Sequence, residues 1–349
     1  MGKIIVIFIV FVISFATQLF ADSGGHRNPF GVLTFLPWNE GYNNYMYDSK
    51  EKVAHAIQLL KELGVSIIRI DFSWTQIEKV QGKDELSRLD YIVQECDKNN
   101  IEVLGVLGYS PAWAGGRWNQ PVCDLKLFAD FSARMAAHYP QIKYWEIWNE
   151  PDSLTYWQPQ DNMVTYTALL KLVYPAIKAA NPGAVVLVGG LTTDGLYKLK
   201  SMLKNGAGQY FDILNLHPFV DPSNPQCVKT MGTIINNFAA AVRQYGFDKK
   251  IWITEIGCPG IDNSSKTWWN GPAQSEEEQA KFLKQAYNYL LNDPKVERIF
   301  WAFFQDTPDH FYNAVDDFGL IRRDFSKKRS FMVYKDIINN GRSKDVQGQ

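Results

Sequence analysis

Charge of one sign is what this chain most lacks. Its 349 residues carry 36 Lys and Arg against 37 Asp and Glu, a formal net charge of -1. That balance gives no electrostatic footprint for nucleic acid or for an anionic membrane surface. Cysteine is scarce: Cys96, Cys123, Cys227 and Cys258 are all there are, and their spacing matches no zinc motif. A Gly-rich phosphate turn is missing too. Neither Leu33-Thr34-Phe35 nor Arg69-Ile70-Asp71-Phe72 offers one, which argues against an open, doubly wound nucleotide-binding sheet. No low-complexity linker or second apolar cluster marks off another domain.

The long apolar run lies at the start. Lys3 precedes Ile4 to Phe15, and a short stretch ending in Ala21 follows, so residues 1–21 read as a secretory signal peptide. Cleavage is expected after Ala21, leaving residues 22–349 as one domain. The run is short for a membrane span, and no Cys follows it to carry a lipid. The expectation is a secreted or periplasmic protein, monomeric, with no membrane span in the mature form. Export permits disulfides. Cys96 falls in a helical segment and reads as a core thiol, while Cys123, Cys227 and Cys258 read as loop residues. The sequence does not choose among their pairings, of which Cys227 to Cys258 would join neighbouring loops.

What is present is a rhythm. Strand-like runs at 30–37, 65–74, 101–107, 144–149, 185–189, 211–216, 250–257 and 298–304 alternate with amphipathic helical patterns. Ser275-Glu276-Glu277-Glu278 is a capping box that opens one of those helices. Eight strands, each followed by a helix, predict an α/β chain closed into a single (β/α)8 TIM barrel. In such a barrel the C-terminal strand ends share one face, where chemistry sits.

Two of the runs end in a carboxylate. Tyr144-Trp145-Glu146-Ile147-Trp148-Asn149-Glu150-Pro151 ends strand four, and Lys250-Ile251-Trp252-Ile253-Thr254-Glu255-Ile256-Gly257 ends strand seven. A Glu at the end of a buried apolar strand needs a partner or a task. Two of them supply what glycoside hydrolysis requires. The Asn149-Glu150-Pro151 and Thr254-Glu255 pair resembles the clan A retaining (β/α)8 glycoside hydrolases. Leu63-Gly64-Val65, Arg69-Ile70-Asp71, Trp74 and the stretch from Leu104 to Ala114 look most like glycoside hydrolase family 39 and its family 5-like relatives, the single-barrel exopolysaccharide endoglycosidases. The family 39 xylosidases carry an extra β-domain that this chain lacks.

The resemblance implies roles. Glu255 would be the nucleophile and Glu150 the acid/base of a double displacement, with a raised pKa on Glu150. Arg69 would sit beside Glu255 and keep it ionised, although an internal salt bridge to Asp71 or Glu146 would also satisfy it. Asn149 would bind the hydroxyl next to the anomeric carbon, and His217 matches the clan's site histidine. Phe219 stands where the clan often has Tyr. Trp301 would floor the sugar, and Trp113 is a similar candidate. The loop aromatics Trp118, Tyr156, Trp157, Trp268, Trp269, Phe311 and Tyr312 are candidates for further sugar subsites. No metal, nucleotide or other cofactor is implied. The substrate expected is an oligo- or polysaccharide cut internally. An exo-acting β-glycosidase such as a xylosidase, and an inactive sugar-binding barrel, are the alternatives.

Overall fold

A computed structural model of the chain describes residues 28–40, 44 and 46–347; the expected signal segment lies outside the described residues. Eight parallel strands close into a barrel in unbroken chain order, the last pairing back onto the first. They are β1 (Phe30–Leu33), β2 (Ile67–Ser73), β3 (Glu102–Gly108), β4 (Tyr144–Asn149), β5 (Val185–Thr192), β6 (Leu214–His217), β7 (Ile251–Ile256) and β8 (Val296–Trp301). The helices around them are α1 (Lys50–Leu63), α2 (Ser87–Lys98), α3 (Leu125–His138), α4 (Val164–Ala180), α5 (Leu196–Lys204), α6 (Cys227–Gln244), α7 (Glu276–Leu290) and α8 (Arg329–Gln347). A small ribbon pairs Thr267–Trp268 with Gly271–Pro272 in the loop after β7, and the sequence reading did not anticipate it.

Local chemistry sets these boundaries. Ser49 caps α1 by accepting from the Lys52 amide, and Gly64 ends the same helix at φ 90°, a left-handed conformation that glycine adopts without a Cβ penalty. The expected capping box is formed at Ser275 and Glu278. Along β6, Leu214 to His217 is the regular part; the strand begins later than its apolar run suggests.

The barrel interior is layered, because residues two apart on a strand face the same side. Ile67, Leu104, Tyr144, Leu187, Ile213, Trp252 and Phe300 form a buried apolar layer of their own. Arg298 lies over the Tyr144 and Trp252 rings at 5.1 and 5.0 Å and pairs with Glu102 at 2.6 Å. Two residues beyond that layer the strands turn polar: Arg69, Glu146, Asn215 and Thr254 are all buried. Asp71 and His217 come two further on, at the mouth.

Candidate active site

The polar layer is the foundation of the site. Arg69 donates Nε to Oε2 of Glu146 at 2.8 Å and Nη2 to Oε1 of Glu146 at 2.8 Å, a bidentate pair. Its other arm reaches Oε1 of Glu255 at 2.7 Å, and Nη2 also donates to Oδ1 of Asn149 at 2.8 Å. The two readings of Arg69 therefore hold together: it is both an internal salt bridge to Glu146 and a neighbour of Glu255. Asp71 feels the Arg69 charge but is not hydrogen-bonded to it; one Asp71 oxygen accepts from Nε1 of Trp38 at 3.1 Å. Because guanidinium groups only donate, Asn149 must present its oxygen to Arg69 and keep its amide nitrogen for something else.

Glu150 follows β4 with φ 43°, and Trp148 and Tyr109 nearby also have left-handed backbones, at φ 70° each. Such conformations in non-glycine residues gather at functional sites. His217, at the end of β6, bridges Glu150 and Thr254: Nδ1 lies 2.9 Å from Oε1 of Glu150, and Nε2 lies 3.0 Å from Oγ1 of Thr254. One oxygen each of Glu150 and Glu255 and one nitrogen of His217 fall within 4.8 Å of one another. That set has the elements of a metal site, but both His217 nitrogens already have protein partners. The arrangement suits proton transfer better than ligation.

Burial dominates the electrostatics. It raises Glu150 to about 7, against the pull of Arg69, so this carboxyl holds a proton that an exposed glutamate would have lost. Burial also raises Glu255 above its ordinary value, with the neighbouring His217 and Arg69 opposing it. The expectation that Arg69 holds Glu255 low is thus corrected: the cation is shared with Glu146, and desolvation outweighs what is left. His217 is lowered, again by burial first.

The mouth opens into a cleft of about 1540 Å³ lined by Glu150, Glu255, His217, Arg69 and Asn149 together with Asp71, Tyr109 and Phe303. Trp118, Tyr156, Trp269 and Phe311 line it as the loop reading anticipated. Five predicted aromatics lie elsewhere. Trp301 is fully buried, packs on Phe282 of α7 and donates Nε1 to the Phe318 carbonyl. Its neighbour Phe300 belongs to the inner layer, so alternation turns Trp301 outward to the helices. Phe303 takes the cleft position instead. Trp113 is fixed against Trp74, donates to the Glu78 carbonyl and is not among the lining residues. Trp268 is packed beneath Trp269 and Phe318, and Trp157 is buried against Trp148 and Tyr166. Tyr312 is 86% exposed and not among the lining residues.

The sequence reading missed Asp71, Tyr109 and Phe303 as lining residues. Asp71 was within reach of it, since it follows Arg69 by the two-residue repeat that marks one face of a strand. The cysteine reading is also corrected. All four thiols are free, and Cys227 opens α6 rather than lying in a loop. Cys227 and Cys258 are packed as core side chains, and burial pushes both thiols up, which keeps them protonated and unreactive.

Comparison with known proteins agrees with this geometry. Residues 26–306, well over half of the chain, match the family model of cellulase (glycosyl hydrolase family 5). The chain belongs to that family. Its barrel is shared with a family 39 glycoside hydrolase from the gut symbiont Bacteroides cellulosilyticus WH2, at TM-score 0.71 and 24% identity over 90% of this chain and 64% of that one. GH5_18 from Streptomyces cattleya, in complex with GlcNAc, gives TM-score 0.70 and 14% identity over 90% and 80%. The exo-beta-1,4-mannosidase Op5Man5 from Opitutaceae bacterium strain TAV5 gives 0.67 and 15% over 93% and 62%. The chain thus spans less than two thirds of the first and third of these proteins. At such identities the likeness is one of fold. This glycosyl hydrolase family 5 barrel fits the clan A hydrolases that the sequence resembles.

Proposed function

We propose that this family 5 chain is a retaining β-glycoside hydrolase that cuts an extracellular polysaccharide internally by double displacement. One observation carries the reading: an oxygen of Glu150 and an oxygen of Glu255 lie within 4.8 Å of each other at the mouth of the barrel. Retaining enzymes hold their two carboxyl groups about 5–5.5 Å apart, whereas inverting enzymes need about 6.5–9.5 Å to admit a water. The spacing here supports retention.

In the first step an oxygen of Glu255 bonds to the anomeric carbon. Glu150 gives its proton to the glycosidic oxygen as that bond breaks. In the second, Glu150 takes a proton from water, the water oxygen bonds to the anomeric carbon, and the bond to Glu255 breaks. The raised value of Glu150 suits the acid role, since it is protonated in the free protein up to about pH 7. Asn149, with its oxygen held by Arg69, has its amide nitrogen left to donate to the neighbouring sugar hydroxyl.

Cleft size supports internal cutting. Small-ligand pockets run to about 300–1,000 Å³, and this cleft, at about 1540 Å³, exceeds that range. The aromatics Trp118 and Trp269, 46% and 58% exposed, offer further platforms in the cleft wall. Profiling products from a panel of β-glucans, mannans and xylans tests the reading. Oligosaccharide products support it, and monosaccharide alone would favour the exo-acting alternative. A covalent 2-fluoroglycosyl adduct on the Glu255 peptide excludes an inactive sugar-binding barrel.

A further inference from the structure

The residues behind His217 form a chain of hydrogen bonds whose direction can be worked out atom by atom. Thr254 donates its hydroxyl proton to Oδ1 of Asn215 at 2.7 Å. Its hydroxyl has no second proton, so towards Nε2 of His217, 3.0 Å away, it can only accept. Nε2 therefore carries the ring proton. On a neutral ring Nδ1 is then a bare lone pair facing Oε1 of Glu150 at 2.9 Å, and that contact is a hydrogen bond only if Glu150 supplies the proton. All three groups behind the acid are fully buried, and Asn215 Nδ2 has no partner.

We propose that Thr254 and Asn215 are positioning residues for the acid: they fix the tautomer of His217 and so give Glu150 an acceptor for its proton. The inference rests on the reading of Glu150 as the acid/base. It also deepens that reading, because a fixed Nδ1 lone pair repels the carboxylate left after proton donation. Glu150 is then driven to regain a proton from the water of the second step.

Other groups face this chain. Arg69 from β2 is the cation; Glu146 from β4, Asp152 and Tyr156 from the loop after β4, and Glu255 from β7 complete the set. Burial keeps His217 neutral and Glu150 protonated, as the chain requires.

Nitrogen-15 NMR of histidine-labelled protein reads the tautomer directly, with the His217 signals assigned by their loss in His217→Gln. Just below the Glu150 titration at about 7, the ring should be neutral with its proton on Nε2. Thr254→Val removes the acceptor, and Asn215→Leu frees the Thr254 hydroxyl to donate to Nε2. In both the proton should move to Nδ1, and Thr254→Ser should restore the original tautomer. The protonated carboxyl band of Glu150, identified by its absence in Glu150→Gln, should then titrate about one unit lower, a tenfold loss of protonated form. A wild-type proton on Nδ1, or an unchanged tautomer in both variants, overturns the proposal, and the wild-type measurement stands even if a variant does not fold. Neither readout needs turnover, so a failure here is distinct from a failure of Glu150 as the acid.

Discussion

A Cβ on Gly190 would lie 2.0 Å from Nε2 of His217. The imidazole therefore occupies space that only a glycine in β5 leaves open, while the Gly190 amide donates to Glu146 at 3.0 Å. One backbone position thus serves both the ionic layer and the residue that touches Glu150.

Gly190→Ala should displace the His217 ring and separate it from Glu150. Overpacking of this kind costs about 1–3 kcal/mol. A thermal melt should show that loss, and turnover should fall further than the stability change accounts for. Wild-type activity in a well-folded variant would mean that His217 can move without consequence.

The barrel was legible because strands and helices alternate at full length, and because glycine and capping residues punctuate them where physics demands. The two carboxylates were legible as a pair: one Glu ending an apolar strand reads as well as a cap or an ion pair, and a second at the end of strand seven tips the balance. Trp301 was misplaced because its side of the strand depends on whether Phe300 or its neighbour faces inward, which the apolar run Ile299 to Phe304 does not reveal. The Thr254 partner of His217 was hidden for another reason. It depends on the register between β6 and β7, where Leu216 lies opposite Ile253, and single-strand patterns carry no register.

Glu255→Gln should abolish turnover, since an amide forms no glycosyl ester. Glu150→Ala should lose about 10²–10⁴-fold on substrates with poor leaving groups. It should spare dinitrophenyl glycosides, which leave without protonation, and added azide should restore a glycosyl azide of retained configuration. Equal losses on good and poor leaving groups would remove Glu150 from the acid role.

The same carboxyl links stability to pH. Its folded value, about 7, lies above the ordinary 4.5. Between those values the folded state holds a proton that the unfolded state has released, so stability falls as pH rises across that window. Glu150→Gln removes the penalty. Its melting temperature should equal that of wild type near pH 4 and exceed it above pH 7 by several degrees, taking about 2–4 °C per kcal/mol. An offset that does not change with pH would show that Glu150 titrates as an ordinary carboxylate.

Arg69→Met leaves Glu146 buried without its bidentate partner. Breaking a buried pair from one side costs about 3–5 kcal/mol. Arg69→Met with Glu146→Gln should recover much of that stability, because the fully buried Glu146 charge is no longer left uncompensated, yet activity should stay low because Glu255 still lacks its neighbour. Denaturant melts of the two variants, set beside their turnover, separate the two duties of Arg69.

Trp118 and Trp269 stand on the loops after β3 and β7, on separate segments of the cleft wall, and neither has the buried surroundings of a core residue. If the cleft grips a chain on both sides of the scissile bond, each ring serves sugars that a short substrate does not have. Trp118→Ala and Trp269→Ala should then weaken KM for long oligosaccharides about two- to tenfold each, in line with about 0.5–1.5 kcal/mol for an aromatic contact beyond its area burial. An aryl monoglycoside should be turned over almost as by wild type. Losses of equal size on both substrates would place the two rings at the reacting sugar itself. That result would favour a pocket over a groove, and exo over internal cleavage.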